Sequence, residues 1–302
     1  MTASSPADLP LLVLYTGGTL GMKETPHGLA PGKELAQRLQ IALARLPPGH
    51  RSSLPSFTLV ETADPIDSSA ATPRDWQRLG RDIAARYRDH GGILVLHGTD
   101  TLAWTAASLA YQLQGIDRPV VVTGAMQPLE AEGSDALDNI DTSLRFAANP
   151  ALREVAVCFS GKLMSGVHAR KWHTTHHDAF SSPHQPLLGE RIDDEVLLYP
   201  GHGLGTRQRG APRFELPDYH SLADGGVVRI VLWPGIPARH VAAWLEDEAV
   251  RGALIEVWGG GNIPAAPDLI DVLARACGDG KLLAATSQCP QGPIAFRDYA
   301  AG

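Results

Sequence analysis

"GGILVLHGTDTLAWTAASLAYQLQG", Gly91 to Gly115, sets a short apolar run directly against a longer stretch that reads as a helix beginning just after Asp100. Similar runs recur over the first 180 or so residues: "LPLLVLYTGG" and "FTLVETA" before it, "RPVVVTGAM" and "REVAVCFSG" after it. Apolar runs without alternating polar residues are expected of strands buried on both faces, the condition of a parallel sheet covered by helices. Between the second and third runs, Thr72 and Pro73 read as an N-cap and first helical residue. Trp76, Leu79, Ile83 and Tyr87 then recur at helical spacing. A doubly wound, mostly parallel α/β domain is the economical fold for this succession.

From about Asp193 the periodicity fails, and "YPGHGLGTRQRGAPRFELPDYHSLADGG" is rich in Gly, Pro and Arg. The expected organisation is therefore an N-terminal domain over 1–192, a linker over 193–226 and a smaller C-terminal α/β domain over 227–302. That second domain is expected to hold a strand "GVVRIVLW", a helix around Ala238 to Val250, a strand "ALIEVW", a helix near Pro267 to Cys277 and a strand "KLLAAT".

The 302-residue chain is 44% hydrophobic, enough for a sizeable core. Its 26 basic against 33 acidic residues leave a net charge of −7, which supplies no global field for a nucleic-acid backbone or an anionic membrane. A small-molecule partner is the better expectation. No apolar run reaches the roughly 18 residues of a membrane-spanning helix, and the opening "MTASSPADLP" lacks the basic and apolar regions of a signal peptide. Cys158, Cys277 and Cys289 are odd in number and show no CxxC spacing, which fits a cytoplasmic, reducing compartment; all three read as buried thiols.

Ligands of open parallel sheets sit at the carboxyl ends of the strands. Three of those ends carry a threonine beside a glycine: Thr16-Gly17-Gly18-Thr19, Gly98-Thr99-Asp100-Thr101 and Thr123-Gly124. The first has neither the lysine of a P-loop nor the glycine spacing of a dinucleotide fingerprint. Alone, it is accounted for by a Gly-Gly turn whose threonines hydrogen-bond the backbone. Asp100 likewise reads as the N-cap of the following helix. Yet a carboxylate beside a hydroxyl, facing a second hydroxyl-bearing loop, is also what nucleophilic catalysis needs, and a lysine with suitable surroundings can relay the proton. Of five lysines, Lys171 lies past the fifth run, where the chain can return to the same face.

With these residues in place, the chain resembles the bacterial-type L-asparaginases of the asparaginase/glutaminase family, and more the cytoplasmic type I branch than the periplasmic type II. The matching segments are "YTGGTLGM", "DSSAATPRDW", "VLHGTDTLAWTA", "PVVVTGAMQPL", "KWHTTHHDAFSSP", "WGGGNIP" and "TSQCPQG", in family order. The resemblance implies Thr19 as the nucleophile that attacks the side-chain amide and forms an acyl-enzyme with release of ammonia. It implies Thr99, Asp100 and Lys171 as the activating group, Asp100 also on the substrate α-ammonium, and Ser68 on the α-carboxylate. Ser69 stands where type II enzymes often carry glutamine, and Asn262 matches a small-domain residue that reaches a neighbouring subunit's site. A homo-oligomer, dimer or tetramer, follows; no cofactor or metal is implied. Elementary chemistry agrees, since a zwitterionic amino acid needs an anion and a set of donors at fixed separation, and an amide needs a nucleophile and an oxyanion-stabilising loop end.

The sequence departs from the family pattern twice. Many members carry a tyrosine about ten residues after the nucleophile, where "KETPHGLAPG" offers His27 and Leu29. The chain also stops at "FRDYAAG", where type I members continue through further helices, so the small domain reads as shortened. His168, His173, His176, His177 and His184 have irregular spacing and no H-E-x-x-H signature, so a zinc site is not expected. Cys289 lies where some type I enzymes bind a regulatory asparagine. An asparaginase-like subunit of a tRNA-dependent amidotransferase calls for a basic surface and an RNA-facing domain, neither of which the sequence offers. A non-catalytic amino-acid sensor calls for loss of Thr19 or Lys171, and both are present.

Overall fold

The computed structural model describes residues 8–203, 211–216, 218 and 225–295. The chain divides into two compact units, Met1–Pro217 and Asp218–Gly302. In the first, β1 (Leu11–Tyr15) is followed by a hairpin, β2 (Met22–Thr25) and β3 (Gly28–Pro31), and by helices α1 (Leu35–Ala44) and α2 (Pro48–Ser52). Then come β4 (Phe57–Glu61), α3 (Pro73–Arg86), β5 (Ile93–Leu96), α4 (Leu102–Gln112), β6 (Val120–Thr123), α5 (Ala136–Ala147) and β7 (Val155–Phe159). The antiparallel strands β8 (Lys162–Ser165), β9 (Arg170–Lys171), β10 (Phe180–Ser181), β11 (Gly189–Ile192) and β12 (Glu195–Leu198) follow.

The main sheet has the order β12-β11-β8-β7-β6-β5-β1-β4. β4, β1, β5, β6 and β7 are mutually parallel, and the expected apolar runs supply all five. The chain leaves β1 for β4 on one side and returns to β5 on the other. That reversal is a topological switch point, and it leaves a crevice beyond the carboxyl ends of β1 and β5. Alternate residues of each strand feed two cores. Leu11, Val13, Leu94 and Leu96 pack with Leu35 and Leu39 of α1 and Ile140 and Leu144 of α5. Leu12, Leu14, Ile93 and Val95 pack with Leu79 and Ile83 of α3 and Leu102 and Leu109 of α4. Burial on both faces is why these strands read as continuous apolar runs. At the start of α3, Asp75 Oδ2 accepts from both the backbone N (2.9 Å) and the hydroxyl (2.8 Å) of Thr72, so the expected N-cap is present.

The stretch expected as linker needs correction. β12 lies within it and pairs with β11, and beyond it the backbone of Arg213 and Glu215 donates to the carbonyls of Gln114 and Gln112 at the end of α4, 2.8 Å each. Phe214 stacks edge-on against Tyr87. An edge strand of four residues followed by a segment held through its backbone leaves almost no side-chain periodicity to read. Much of the remaining linker lies outside the described residues, as does the whole of the terminal "FRDYAAG".

The second unit contains β13 (Val227–Val231), α6 (Ala238–Leu245), β14 (Gly252–Val257), α7 (Pro267–Gly278) and β15 (Leu282–Ser287). Its three strands are parallel in the order β13-β14-β15, around a core of Ile230, Val241, Leu245, Ile255 and Leu269. This is the α/β succession expected from sequence.

Candidate active site

The turn after β1 begins with Thr16, which is fully buried and donates its hydroxyl to Leu96 O at 2.9 Å. It fastens β1 to β5. Thr123 does the same for β6, donating to Cys158 O at 2.7 Å. Thr19 is different: it opens a 3₁₀ turn over Thr19–Gly21 and is half-buried. Gly18 precedes it with φ 97°, a left-handed conformation that L side chains rarely adopt. A Cβ on Gly18 would land on the backbone of Gly98, and one on Gly98 would land on the Ser68 hydroxyl. Bare backbone thus lets the Thr19 turn, the His97–Thr101 loop and the Ser68 segment meet at the switch point.

Asp67–Ala71 supplies the third wall. Ser68 is buried, and its carbonyl accepts the Thr101 hydroxyl at 2.8 Å. Ser69 is exposed; its hydroxyl and backbone N both donate to Asp67 Oδ1, at 2.8 and 2.9 Å, and hold that carboxyl below its usual range. The N-cap of α4 is Thr101, not Asp100, so the capping explanation for Asp100 falls away and its carboxylate is available to other partners.

That partner is Lys171. It lies in β9, paired to Phe180 of β10, and the Phe180 ring packs 4.7 Å from that of Phe159 in β7. The lysine returns to the strand ends and donates Nζ to Thr99 Oγ1 at 2.9 Å and to Asp100 Oδ1 at 2.8 Å. Thr99 is buried, Lys171 is partly buried and Asp100 is exposed. One lysine Nζ therefore bridges a sheltered hydroxyl and a carboxylate at the open rim, a chain along which a proton can pass.

His97 was given no role by sequence reasoning, although a polar residue ending an apolar run was the available signal. It is 1% exposed, with Nδ1 2.8 Å from Gly98 O and Nε2 3.1 Å from Thr105 Oγ1. Burial lowers its pKa, so the ring is neutral and links the loop to α4. Donation from Nδ1 to Gly98 O leaves Nε2 to accept from Thr105.

Four other expectations meet the structure here. His27 occupies the tip of the β2–β3 hairpin, where its backbone N donates to Thr25 Oγ1 at 3.2 Å; both His27 and Leu29 are exposed. In the segment after Lys171, His173 Nδ1 accepts from the backbone of Thr175 and His176, and His176 Nδ1 accepts from that of Asp178. These imidazoles close turns. Of the cysteines expected to be buried, only Cys158 is, its thiol pushed up to about 12 by desolvation; Cys277 and Cys289 are exposed, on a helix surface and in a chain segment after β15. Asn262 belongs to the second unit, where it follows β14 and exchanges backbone hydrogen bonds with Trp258.

A family model described as Asparaginase, N-terminal, matches residues 10–201. The chain is 35% identical over 295 residues to L-asparaginase 1 of Escherichia coli (strain K12), covering 97% of this chain and 83% of the relative. Among solved structures, the thermostable L-asparaginase from Thermococcus kodakarensis superposes with a TM-score of 0.83 at 30% identity, over 97% of this chain and 84% of that one. L-asparaginase I from Vibrio cholerae O1 biovar eltor str. N16961 gives 0.82 at 32% identity, over 95% and 83%. With the hydroxyls, carboxylate and lysine gathered at the switch point, these similarities define an amidohydrolase on an α/β scaffold. The chain belongs to the asparaginase family, and it is similar to the type I enzymes within it.

Proposed function

We propose that the protein hydrolyses L-asparagine to L-aspartate and ammonia through a Thr19 acyl-enzyme. The observation that supports this most is the Lys171 bridge between Thr99 and Asp100, at 2.9 and 2.8 Å, beside a turn that exposes a second threonine. The Thr19 hydroxyl attacks the side-chain amide carbon, its proton passes to the departing nitrogen, and the C–N bond breaks to release ammonia. Water, deprotonated through Thr99 and Lys171, then attacks the ester and returns the proton to Thr19. Asp100 holds the substrate α-ammonium and keeps Lys171 oriented; Ser68 takes the α-carboxylate, and Ser69 lines the same wall. L-Glutamine is a side substrate, since one methylene is worth only about 1–3 kcal/mol of discrimination.

The reading extends to a homo-oligomer acting in the cytoplasm, in which Asn262 completes a neighbouring subunit's site. Among the described residues no helix is long and apolar enough to cross a membrane.

The test is ammonia release from both amino acids by the wild-type protein, Thr19→Ala and Lys171→Met. Wild type is expected to be active on asparagine, and each variant to fold and lose at least about a hundredfold in kcat. Silence of the wild type, or full activity of Thr19→Ala, overturns the assignment; unaffected turnover in Lys171→Met removes the lysine from the site.

A further inference from the structure

We propose that Arg38 and Glu130 form a positioning pair that aims the Thr19 turn and fixes the root of the β2–β3 hairpin beside it. The proposal rests on Thr19 being the nucleophile.

Arg38 lies on α1 and is only 9% exposed, yet its guanidinium is aimed at the backbone that follows Thr19. Its Nη1 donates to Gly21 O at 2.8 Å and its Nη2 to Met22 O at 3.3 Å. Nε and Nη2 also donate to the two carboxylate oxygens of Glu130, a two-pronged contact that fixes the plane of the fork. Glu130 comes from the loop after β6, and its neighbour Leu129 donates its backbone N to Leu20 O at 3.0 Å. Gly32, just beyond β3, donates to Gly21 O at 3.1 Å. The carbonyls of Leu20, Gly21 and Met22 are all held in this way, from α1, from the β6 loop and from the far end of the hairpin.

On its other side Thr19 follows Gly18, which has no side chain and is fitted by sterics alone against Gly98. Upstream the turn is pinned at Thr16, three residues before the nucleophile; downstream the carbonyls of Gly21 and Met22 are held by Arg38. Arg38 in turn holds the Glu130 carboxyl below the usual carboxylate range, so the pair stays ionised at neutral pH. Neither residue reaches Thr99, Asp100 or Lys171, and the groups proposed to hold the substrate's α-ammonium and α-carboxylate stand on other loops. Loosening the pair misaims the nucleophile and leaves substrate binding in place.

That separation makes the proposal testable on the intact chain. Arg38→Lys keeps the charge but lacks the planar fork; Glu130→Gln alters an exposed side chain and leaves the backbone contacts of Leu129 intact. With turnover measured per folded chain, kcat is expected to fall about tenfold or more in Arg38→Lys and about threefold in Glu130→Gln, with KM within about twofold of wild type. The double variant is expected to match Arg38→Lys, because both changes break one unit. Unchanged kcat per folded chain in both variants, even with a lowered Tm, identifies a pin of the fold only and overturns the proposal. So does an effect confined to KM, or strictly additive losses in the double variant. If wild type itself releases no ammonia, the asparaginase reading fails instead, so the two failures are distinct.

Discussion

Of the threonines at the strand ends, four have hydroxyls that separate into two kinds. Thr16 and Thr123 are fully buried and spend their protons on carbonyls of neighbouring strands, Leu96 O and Cys158 O. Thr99 accepts from Lys171, and Thr19 stands half-buried at the head of its turn. The sequence makes Thr16 and Thr19 look equivalent, flanking the same two glycines. Thr16 is buried and bonded, whereas Thr19 is partly exposed at the head of its turn. Thr16→Val keeps the shape of the side chain, and the backbone N of Thr16 still satisfies Leu96 O at 3.0 Å. The expected outcome is a loss of about 1 kcal/mol in unfolding free energy with near wild-type kcat per folded chain. Denaturant titration alongside the ammonia assay checks it; a collapse of kcat would move Thr16 into the machinery.

Among the elements, the five parallel strands were legible because each is buried on both faces and carries its turn residues at the carboxyl end. The helix α5 was not. Asn139, Asp141, Thr142 and Ser143 are all buried in it, so apolar residues alone do not mark its buried surface. Asn139 bonds Gly124 O and Ser160 N, and Asp141 pairs with Arg145 and Arg191, so these two side chains are satisfied by partners that sequence periodicity cannot show. The β2–β3 hairpin escaped for another reason: its strands are four residues long and largely exposed. The glycines of the β1 turn, by contrast, were visible, but the structure supplies their cause. Gly18 combines a positive φ with backbone of the β5 loop where its Cβ would be. Gly18→Ala is therefore expected to push the Thr19 turn and the His97–Thr101 loop apart and lower kcat by about a hundredfold or more, while the second unit keeps its fold. Kinetics with hydrogen exchange on the separate segments tests this; wild-type turnover would show that the close approach is dispensable.

For the whole molecule, the Thr-Asp-Lys cluster was legible because its motifs sit at strand ends, and the pair Arg38–Glu130 was not, because its partners come from an early helix and a distant loop. Asn262 raises a question at the same scale. It lies in the second unit, whereas Thr19, Ser68, Thr99, Asp100 and Lys171 all lie in the first. If each site borrows Asn262 from a neighbouring copy, two inactive chains can repair one another. Thr19→Ala and Asn262→Ala, each purified alone, are expected to be nearly inactive. When they are unfolded, mixed in equal amounts and refolded as dimers, half the dimers are mixed. One site of each mixed dimer then has Thr19 from one chain and Asn262 from the other, both intact. Ammonia release should recover to roughly a quarter of the wild-type rate under closed two-fold symmetry. No recovery, with mixed dimers present by mass spectrometry, would place Asn262 in service of its own chain; undiminished turnover in Asn262→Ala alone would take it out of the site altogether.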